Sequence, residues 1–175
     1  MRAGDPVEDP TGYTRFVLSH LGDDDPADVQ AKTPGLLREL VLDAAERVST
    51  RPREGEWSVL ECLGHITGAE IVSTARYRWI VAQDRPVLVP YDQELWVERL
   101  RVNDEDPADV LDLFETLRRA NLALWARSSE QERARVGMHE ERGPESFELV
   151  FRLIAGHDRV HLDQAARTLE SVRRA

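Results

Sequence analysis

The 175-residue sequence contains one cysteine, Cys62, and no apolar run long enough to cross a membrane. A lone cysteine excludes an internal disulfide framework and is typical of a reducing compartment. A membrane-spanning helix needs roughly 18 apolar residues in succession, and residues 1–9 also lack the apolar core of a signal peptide. These absences predict a cytoplasmic protein without a membrane partner.

Basic residues are in the minority as well. Lys and Arg total 23 against 33 Asp and Glu, which gives a formal net charge of −10. A polyanion would meet net repulsion, so we expect no nucleic-acid partner. The length suits one domain that buries a core without disulfides or a structural metal. We therefore predict a single domain over 1–175, with its core at about 13–170 and residues 1–12 flexible.

Apolar periodicity predicts a short helix near the N-terminus and a longer one after it. The short helix covers about 13–21 and ends at Gly22. In the second, Thr33 is suited to cap the helix and Pro34 to occupy its first position. We therefore predict helix one of a larger set from Thr33 to about Ser49.

Three further segments keep helical spacing and carry recognisable start signals. Ser58 and Glu61 stand at capping-box spacing before an apolar run,. Asp106 followed by Pro107 is a cap with a first-turn proline. We predict helix two over 59–83, helix three over 107–128 and helix four over 147–170.

These helices predict an all-α four-helix bundle with a short N-terminal helical extension. No segment is predicted to be a strand. The connection between helices two and three, residues 86–106, is long enough to be partly helical and to carry functional residues. Tyr91 and Trp96 lie in it and are candidates to roof a pocket.

Histidines are the most informative residues of this sequence. His157 and His161 are four residues apart, so both project from one helix face, and Gln164 falls on the same inward stripe as His157,. His65 lies upstream among apolar residues. Three imidazoles can hold one divalent ion if helices two and four touch. Otherwise each histidine is a hydrogen-bonded core residue.

Two sequence blocks carry a family resemblance. The first comprises residues 57–66, WSVLECLGHI, followed by Glu70. The second comprises residues 137–143, GMHEERG, then Phe147, then residues 157–164, HDRVHLDQ. Together they resemble the signatures of the DinB-like, or YfiT-like, metal-binding superfamily over about 13–169.

The resemblance implies an up-down-down-up four-helix bundle in which three histidines bind one divalent ion. Residue by residue, these ligands correspond to His65, His157 and His161. Members have been assigned nickel, zinc, iron or manganese, and some are thiol S-transferases or thiol-dependent isomerases. The family also implies a homodimer.

The leading hypothesis is a metal-dependent enzyme that activates a low-molecular-weight thiol or a water for reaction with a small molecule. Three neutral imidazoles leave a coordination position open, as a transferase or hydrolase requires. The catalytic residues are unknown. The alternative is a non-catalytic stress-response scaffold that binds metal or dimerises, and a third reading leaves the histidines without metal.

Four residues are candidates for a role around the ion. Glu61 is suited to orient His65, although the capping box also explains it. Asn121 and Gln164 are suited to bond a metal-bound water, a substrate or a core group. Asp158 stands where a metalloprotease motif places glutamate, but it is shorter and the third histidine lies upstream, so we reject a protease.

The remaining reactive residues are assigned other roles. Cys62 is one turn from His65, yet a lone helical cysteine is usually a small buried apolar group. We expect His139 to organise the loop before helix four. His20 has no motif around it, so neither histidine enters the predicted metal site.

Overall fold

The computed structural model describes residues 9–174, so most of the segment predicted to be flexible lies outside the described residues. Within them, no helix combines the length and apolar character needed to cross a membrane. Two 3₁₀ turns are Ala45–Arg47 and Val102–Asp104. The α-helices are α1 (Pro10–Leu21), α2 (Pro26–Ala44), α3 (Val59–Ala82), α4 (Gln93–Arg99), α5 (Pro107–Arg127), α6 (Glu130–Arg133) and α7 (Phe147–Arg174).

The four long helices α2, α3, α5 and α7 form a four-helix bundle. Helices α3 and α5 are parallel, α2 and α7 are parallel, and α3 and α7 are antiparallel, which gives the up-down-down-up order. Two parallel neighbours need a long connection, and residues 83–106 supply it between α3 and α5. The contacts that set these directions are Glu70–Arg118 with Thr74–Asn121, Gln30–Phe151 with Thr33–Asp158, and His65–His157 with Tyr77–Phe147.

The predicted start of helix one is wrong by eight residues, because the cap is Asp25 and not Thr33. Asp25 caps α2 by accepting hydrogen bonds from two backbone amides, and Pro26 takes the first helical position,. Pro34 therefore lies inside the helix, where it cannot donate to the carbonyl of Gln30. The Nη1 of Arg118 donates to that carbonyl instead, at 3.1 Å.

The end of helix one is also corrected. Helix α2 ends at Ala44, and Ala45, the first residue of the 3₁₀ turn, adopts a positive φ of 48°, so the predicted end near Ser49 is five residues late. Apolar periodicity alone missed this end, because the residues after Ala44 keep their helical spacing. By contrast, α3 begins at Val59 behind the predicted Ser58–Glu61 capping box.

A small sheet overturns the prediction that no strand is present. Strands β1 (Val87–Leu88), β2 (Val136–His139) and β3 (Gly143–Ser146) form it, with β1 parallel and β3 antiparallel to β2. Strands of two to four residues show almost no alternation, and pairing of β1 with β2 joins segments about 50 residues apart. The sheet places His139 and the β2–β3 turn beside α3.

Helix α1 packs on α7 and closes one side of the bundle. Val17 and Leu21 of α1 are buried there. Gly156 of α7 makes this approach possible, because a Cβ at that position would lie 2.2 Å from the backbone oxygen of Val17. The backbone of α1 therefore lies directly against α7 at this point. A Cβ at position 156 would clash with backbone atoms, which cannot rotate away as a side chain can.

Gly156→Ala tests this contact. We expect it to lower the free energy of unfolding by about 1–3 kcal/mol in urea denaturation, because the new methyl group must push α1 away. Gly35→Ala in α2 is the matched control, since a Cβ there meets nothing within 4 Å. It should raise stability by about 0.5–1 kcal/mol through the helix preference of alanine. Equal effects of the two substitutions would contradict the proposed packing.

Candidate metal centre

The three predicted histidines meet in the bundle. The Nε2 atom of His65 on α3 lies 2.9 Å from Nε2 of His157 and 3.1 Å from Nε2 of His161, both on α7. One ligand atom from each residue lies within 4.8 Å of the others. Antiparallel packing of α3 on α7 brings them together, because it sets residue 65 opposite the turn that carries 157 and 161.

The surroundings of the rings favour neutral imidazoles. Burial lowers the pKa of His65 and His157 well below the usual value, and each is lowered further by a neighbouring histidine. Burial also lowers the pKa of His161, to about 4. Neutral imidazole is the form that binds metal ions.

One hydrogen bond fixes the tautomer of His161. Its Nδ1 lies 2.9 Å from the amide oxygen Oε1 of Gln164, which only accepts, so Nδ1–H donates and Nε2 carries a lone pair,. That lone pair points at the Nε2 of His65. The candidate Gln164 therefore holds a predicted ligand in the orientation that metal binding needs.

The donor set fits a divalent cation. Bonds of about 2.1 Å from nitrogen to zinc place two ligand nitrogens roughly 3.4 Å apart in tetrahedral geometry, a few tenths of an ångström from the observed 2.9 and 3.1 Å,. Without a cation, Nε2 of His65 has either one N–H or one lone pair and faces two nitrogen atoms. One N–H cannot be aimed at both, and a lone pair would face the lone pair of His161. Three imidazoles contribute no charge and leave further coordination positions open.

An aromatic wall covers one side of the histidines. The Trp57 ring lies 5.0 Å from the ring of His65 and 6.3 Å from that of His161, measured between centroids. Its Nε1 donates to Oε2 of Glu94 in α4 at 3.2 Å. The long connection is thereby tied to the site, and the indole covers the histidine rings on this side.

A buried charged cluster lies beside the histidines, and we call it the Arg118 cluster. It comprises Arg118, Glu70, Asp158, Asn121 and Thr33, which are all buried. Arg118 donates to both oxygens of Asp158, at 2.5 and 3.1 Å, and to Oε2 of Glu70 at 2.9 Å. Burial alone would lower the pKa of Arg118, but the two carboxylates raise it above its usual value.

The remaining hydrogen bonds of the cluster join all four bundle helices. Thr33 of α2 donates to Asp158 of α7 at 2.8 Å, and Asn121 of α5 donates to Glu70 of α3 at 2.8 Å. The candidates Asp158 and Asn121 thus belong to this cluster. Asp158 directly follows His157, so the cluster also fixes where that histidine stands.

The other candidates have structural partners. Glu61 accepts from the backbone amide of Ser58 at 2.9 Å and forms an ion pair with Arg51, so its carboxylate is engaged at the helix start. Cys62 is fully buried, and burial raises the pKa of its thiol to about 12. A neutral buried thiol in the apolar cluster with Trp57 is a packing group.

Two cavities border the histidines. The larger, about 490 Å³, lies on the side of His157 between α1, α3, α7, the long connection and the β2–β3 turn. The smaller, about 130 Å³, lies on the side of His65. Trp96 lines only the smaller cavity, whereas Tyr91, whose ring contacts that of Trp96 at 4.7 Å, lines both. A small molecule can therefore reach the histidines without the bundle opening.

Sequence reasoning missed Arg118 and Arg76, and for Arg118 a signal was present. Val110, Phe114 and Arg118 recur every four residues on α5, so the guanidinium falls on an apolar stripe,. A charged residue at a core position needs a partner, and that requirement was the available signal.

Arg118→Met tests the cluster. We expect a loss of about 3–5 kcal/mol in the free energy of unfolding, because two buried carboxyl groups lose their counter-ion. Arg119→Met, at the neighbouring exposed position, should change stability by no more than about 0.5 kcal/mol,. Adding Glu70→Gln and Asp158→Asn to Arg118→Met should restore part of the loss. No restoration would contradict the charge-based explanation.

Acid should destabilise the metal-free protein. The pKa of His161 is about 4 when folded, against 6.5 ordinarily, so between these values the unfolded chain binds a proton that the folded chain does not. The free energy of unfolding therefore falls as pH drops from 6.5 to 4, and it is fully retained above 6.5,. Urea denaturation of chelator-treated protein measures this. His161→Gln should show a shallower decline, and an equal decline would refute the assignment.

Comparison with known proteins places these features in a family. Residues 27–165 match the family model of the DinB superfamily. A relative from Oceanobacillus iheyensis, named "Putative metal-dependent hydrolase", is 28% identical over 131 residues, covering 74% of this chain and 75% of the relative. YfiT from Bacillus subtilis, which carries the same description, is 25% identical over 114 residues, covering 65% of this chain and 64% of YfiT.

The solved structure of YfiT from Bacillus subtilis, which has an unusual four-helix bundle topology, gives a TM-score of 0.77 at 24% identity. The alignment covers 86% of each chain. The two proteins therefore share a fold. Because the family model spans most of the sequence and all four bundle helices, the chain belongs to the DinB superfamily.

Proposed function

We propose that His65, His157 and His161 hold one divalent metal ion and that the chain is a metal-dependent hydrolase of a small molecule. The convergence of three Nε2 atoms carries this proposal, with that of His65 lying 2.9 Å from His157 and 3.1 Å from His161. The relatives named as metal-dependent hydrolases support the reaction class.

The bound ion would supply Lewis acidity and would lower the pKa of a coordinated water. The protein's own residues prepare the site for this chemistry. Gln164 accepts a hydrogen bond from Nδ1–H of His161, so Nε2 keeps the lone pair that a metal ion would bind. Trp57 covers the histidine rings on one side, and the cavity beside His157 admits the substrate from the other.

The Arg118 cluster helps to keep His157 in the form that binds metal. Burial lowers the pKa of His157 most, and the charges of His161, His65 and Arg118 lower it further. The ring is therefore neutral, with a lone pair available to a cation. Zinc, nickel, iron and manganese remain the candidate ions, since imidazole alone does not select among the first three.

Thiol transfer is the second reaction that such a site supports. Cys62 is unsuited to it, because its thiol is buried and its pKa is raised to about 12. Thiol chemistry would therefore use a low-molecular-weight thiol as co-substrate. A non-catalytic metal-binding or dimerisation scaffold is the alternative function. Homodimer formation and a cytoplasmic location stay predictions.

Metal analysis of purified protein tests the site. We expect about one divalent ion per wild-type chain, and strong depletion of the same metal in His65→Ala, His157→Ala and His161→Ala, because each change removes one of three ligands. His20→Ala is the matched control, since His20 bonds the Phe16 carbonyl of α1 and lies outside the cluster. Retention of metal by all three cluster variants would disprove the site.

Turnover distinguishes the reactions. The same variants are assayed against a panel of esters and amides, with and without chelator, and with an added low-molecular-weight thiol. Metal-dependent hydrolysis without thiol supports the proposed function. Turnover only with thiol supports the transferase, and loaded protein without any turnover supports the scaffold.

A further inference from the structure

The larger cavity has a second polar region, formed by Arg76 of α3 and His139 of β2. Arg76 is buried, with 7% of its surface exposed. Its Nη2 donates to the carbonyl oxygen of Val89 at 2.7 Å, while its Nε has no hydrogen-bond partner among the described residues. Both residues line the cavity that borders His157.

Within residues 9–174, Arg76 is a buried cation that forms no ion pair. Glu145, a carboxylate whose charge acts on Arg76, is engaged by Arg142, which donates to its two oxygens at 2.6 and 3.1 Å. Burial lowers the pKa of Arg76, and the neighbouring charge of Arg142 lowers it further. Buried arginines are rare unless paired, so this one lacks the counter-ion that its position requires.

His139 adds a second donor at the same point. Its Nδ1 accepts hydrogen bonds from the backbone amides of Glu141 and Arg142, at 3.2 and 3.3 Å, so Nδ1 carries no proton. Burial lowers the pKa of His139 to about 4, and the ring is neutral. The proton of a neutral ring must then sit on Nε2, which becomes a donor.

Two donors therefore face each other. Nε2–H of His139 lies 3.3 Å from Nη2 of Arg76, and neither can accept from the other. An oxygen atom that accepts from both would satisfy them, and a negative charge on it would neutralise the guanidinium. The missing partner is thus an anionic acceptor.

We propose that the cavity binds an organic carboxylate, whose oxygens accept from Arg76 and His139 while its apolar body extends toward the histidine centre. This proposal rests on the proposed function, because it names the substrate class of that site. The intervening wall is mostly apolar, with Val17, Val150 and Ile154 among its residues.

The length of the ligand follows from α3. Arg76 is eleven residues beyond His65, which is roughly 16 Å along the helix at about 1.5 Å per residue. The arginine side chain spans part of this distance, so the carboxylate and the reacting group must be separated by several carbon atoms. A short dicarboxylate or an inorganic anion would not reach both ends.

The rim of the cavity selects the kind of anion. Asp92, Glu94 and Glu141 line it and are exposed. Together with the net charge of −10, they repel a phosphate more strongly than a singly charged carboxylate,. A carboxylate with an apolar or aromatic body therefore fits the donors of Arg76 and His139, the apolar wall and the acidic rim.

Calorimetric titration of metal-loaded protein with phenylbutyrate and its neutral isostere phenylbutyramide tests the proposal. Wild type should bind the carboxylate roughly tenfold or more tightly than the amide, as a charge-assisted hydrogen bond predicts. Arg76→Met should abolish this preference, and Arg76→Lys should weaken it, because lysine keeps the charge without the guanidinium geometry. Arg119→Met, with the same charge change at an exposed position of α5, should preserve it.

Metal content and the midpoint of thermal unfolding are measured for every variant. They distinguish failure of the carboxylate proposal from loss of the metal site or of the fold. Arg76→Met should keep its metal and melt no lower than wild type, because it replaces an unpaired buried cation by an apolar side chain. Loaded wild type without a preference for carboxylate would overturn this proposal and leave the metal site intact. An unchanged preference in Arg76→Met, or tighter binding of inorganic phosphate than of phenylbutyrate, would overturn it as well.

Discussion

The buried ion pairs of Arg118 are the constraint on which the rest of the bundle depends. Its guanidinium bonds to Glu70 of α3, Asp158 of α7 and the Gln30 carbonyl of α2. Charges taken out of water are tolerated only when every partner is in place, so a shift of any helix by one turn would leave a charge uncompensated. Apolar packing above and below the Arg118 cluster tolerates more variation and specifies register less sharply.

The positions of the histidines depend on this alignment of the helices at the Arg118 cluster. Asp158 follows His157 directly, and Glu70 is little more than one turn from His65, so the residues that satisfy Arg118 also bring α3 and α7 into the alignment that the imidazoles need. The interior of α2 contributes through Pro34, whose missing amide frees the Gln30 carbonyl for Arg118. The ion pairs of Arg118 and the placement of the histidines thus depend on one polar layer.

The elements outside the bundle have a different task. Helix α1, the long connection and the small sheet build the cavity that begins at His157 and ends at Arg76 and His139. The bundle carries the three-histidine cluster, and the sheet carries His139 at the other end of the cavity.

The sequence by itself determined the four bundle helices, the N-caps of α3 and α5, and the three histidines, because amphipathic periodicity, capping signals and the i to i+4 spacing are local properties. It failed where structure depends on distant partners. The strands β1 and β2 are too short to show alternation, and Thr33 bonds Asp158 across the core instead of capping a helix. Only the tertiary structure decided which polar residues meet, since Arg118, Arg76 and His139 acquire their roles from groups up to 88 positions away in the chain.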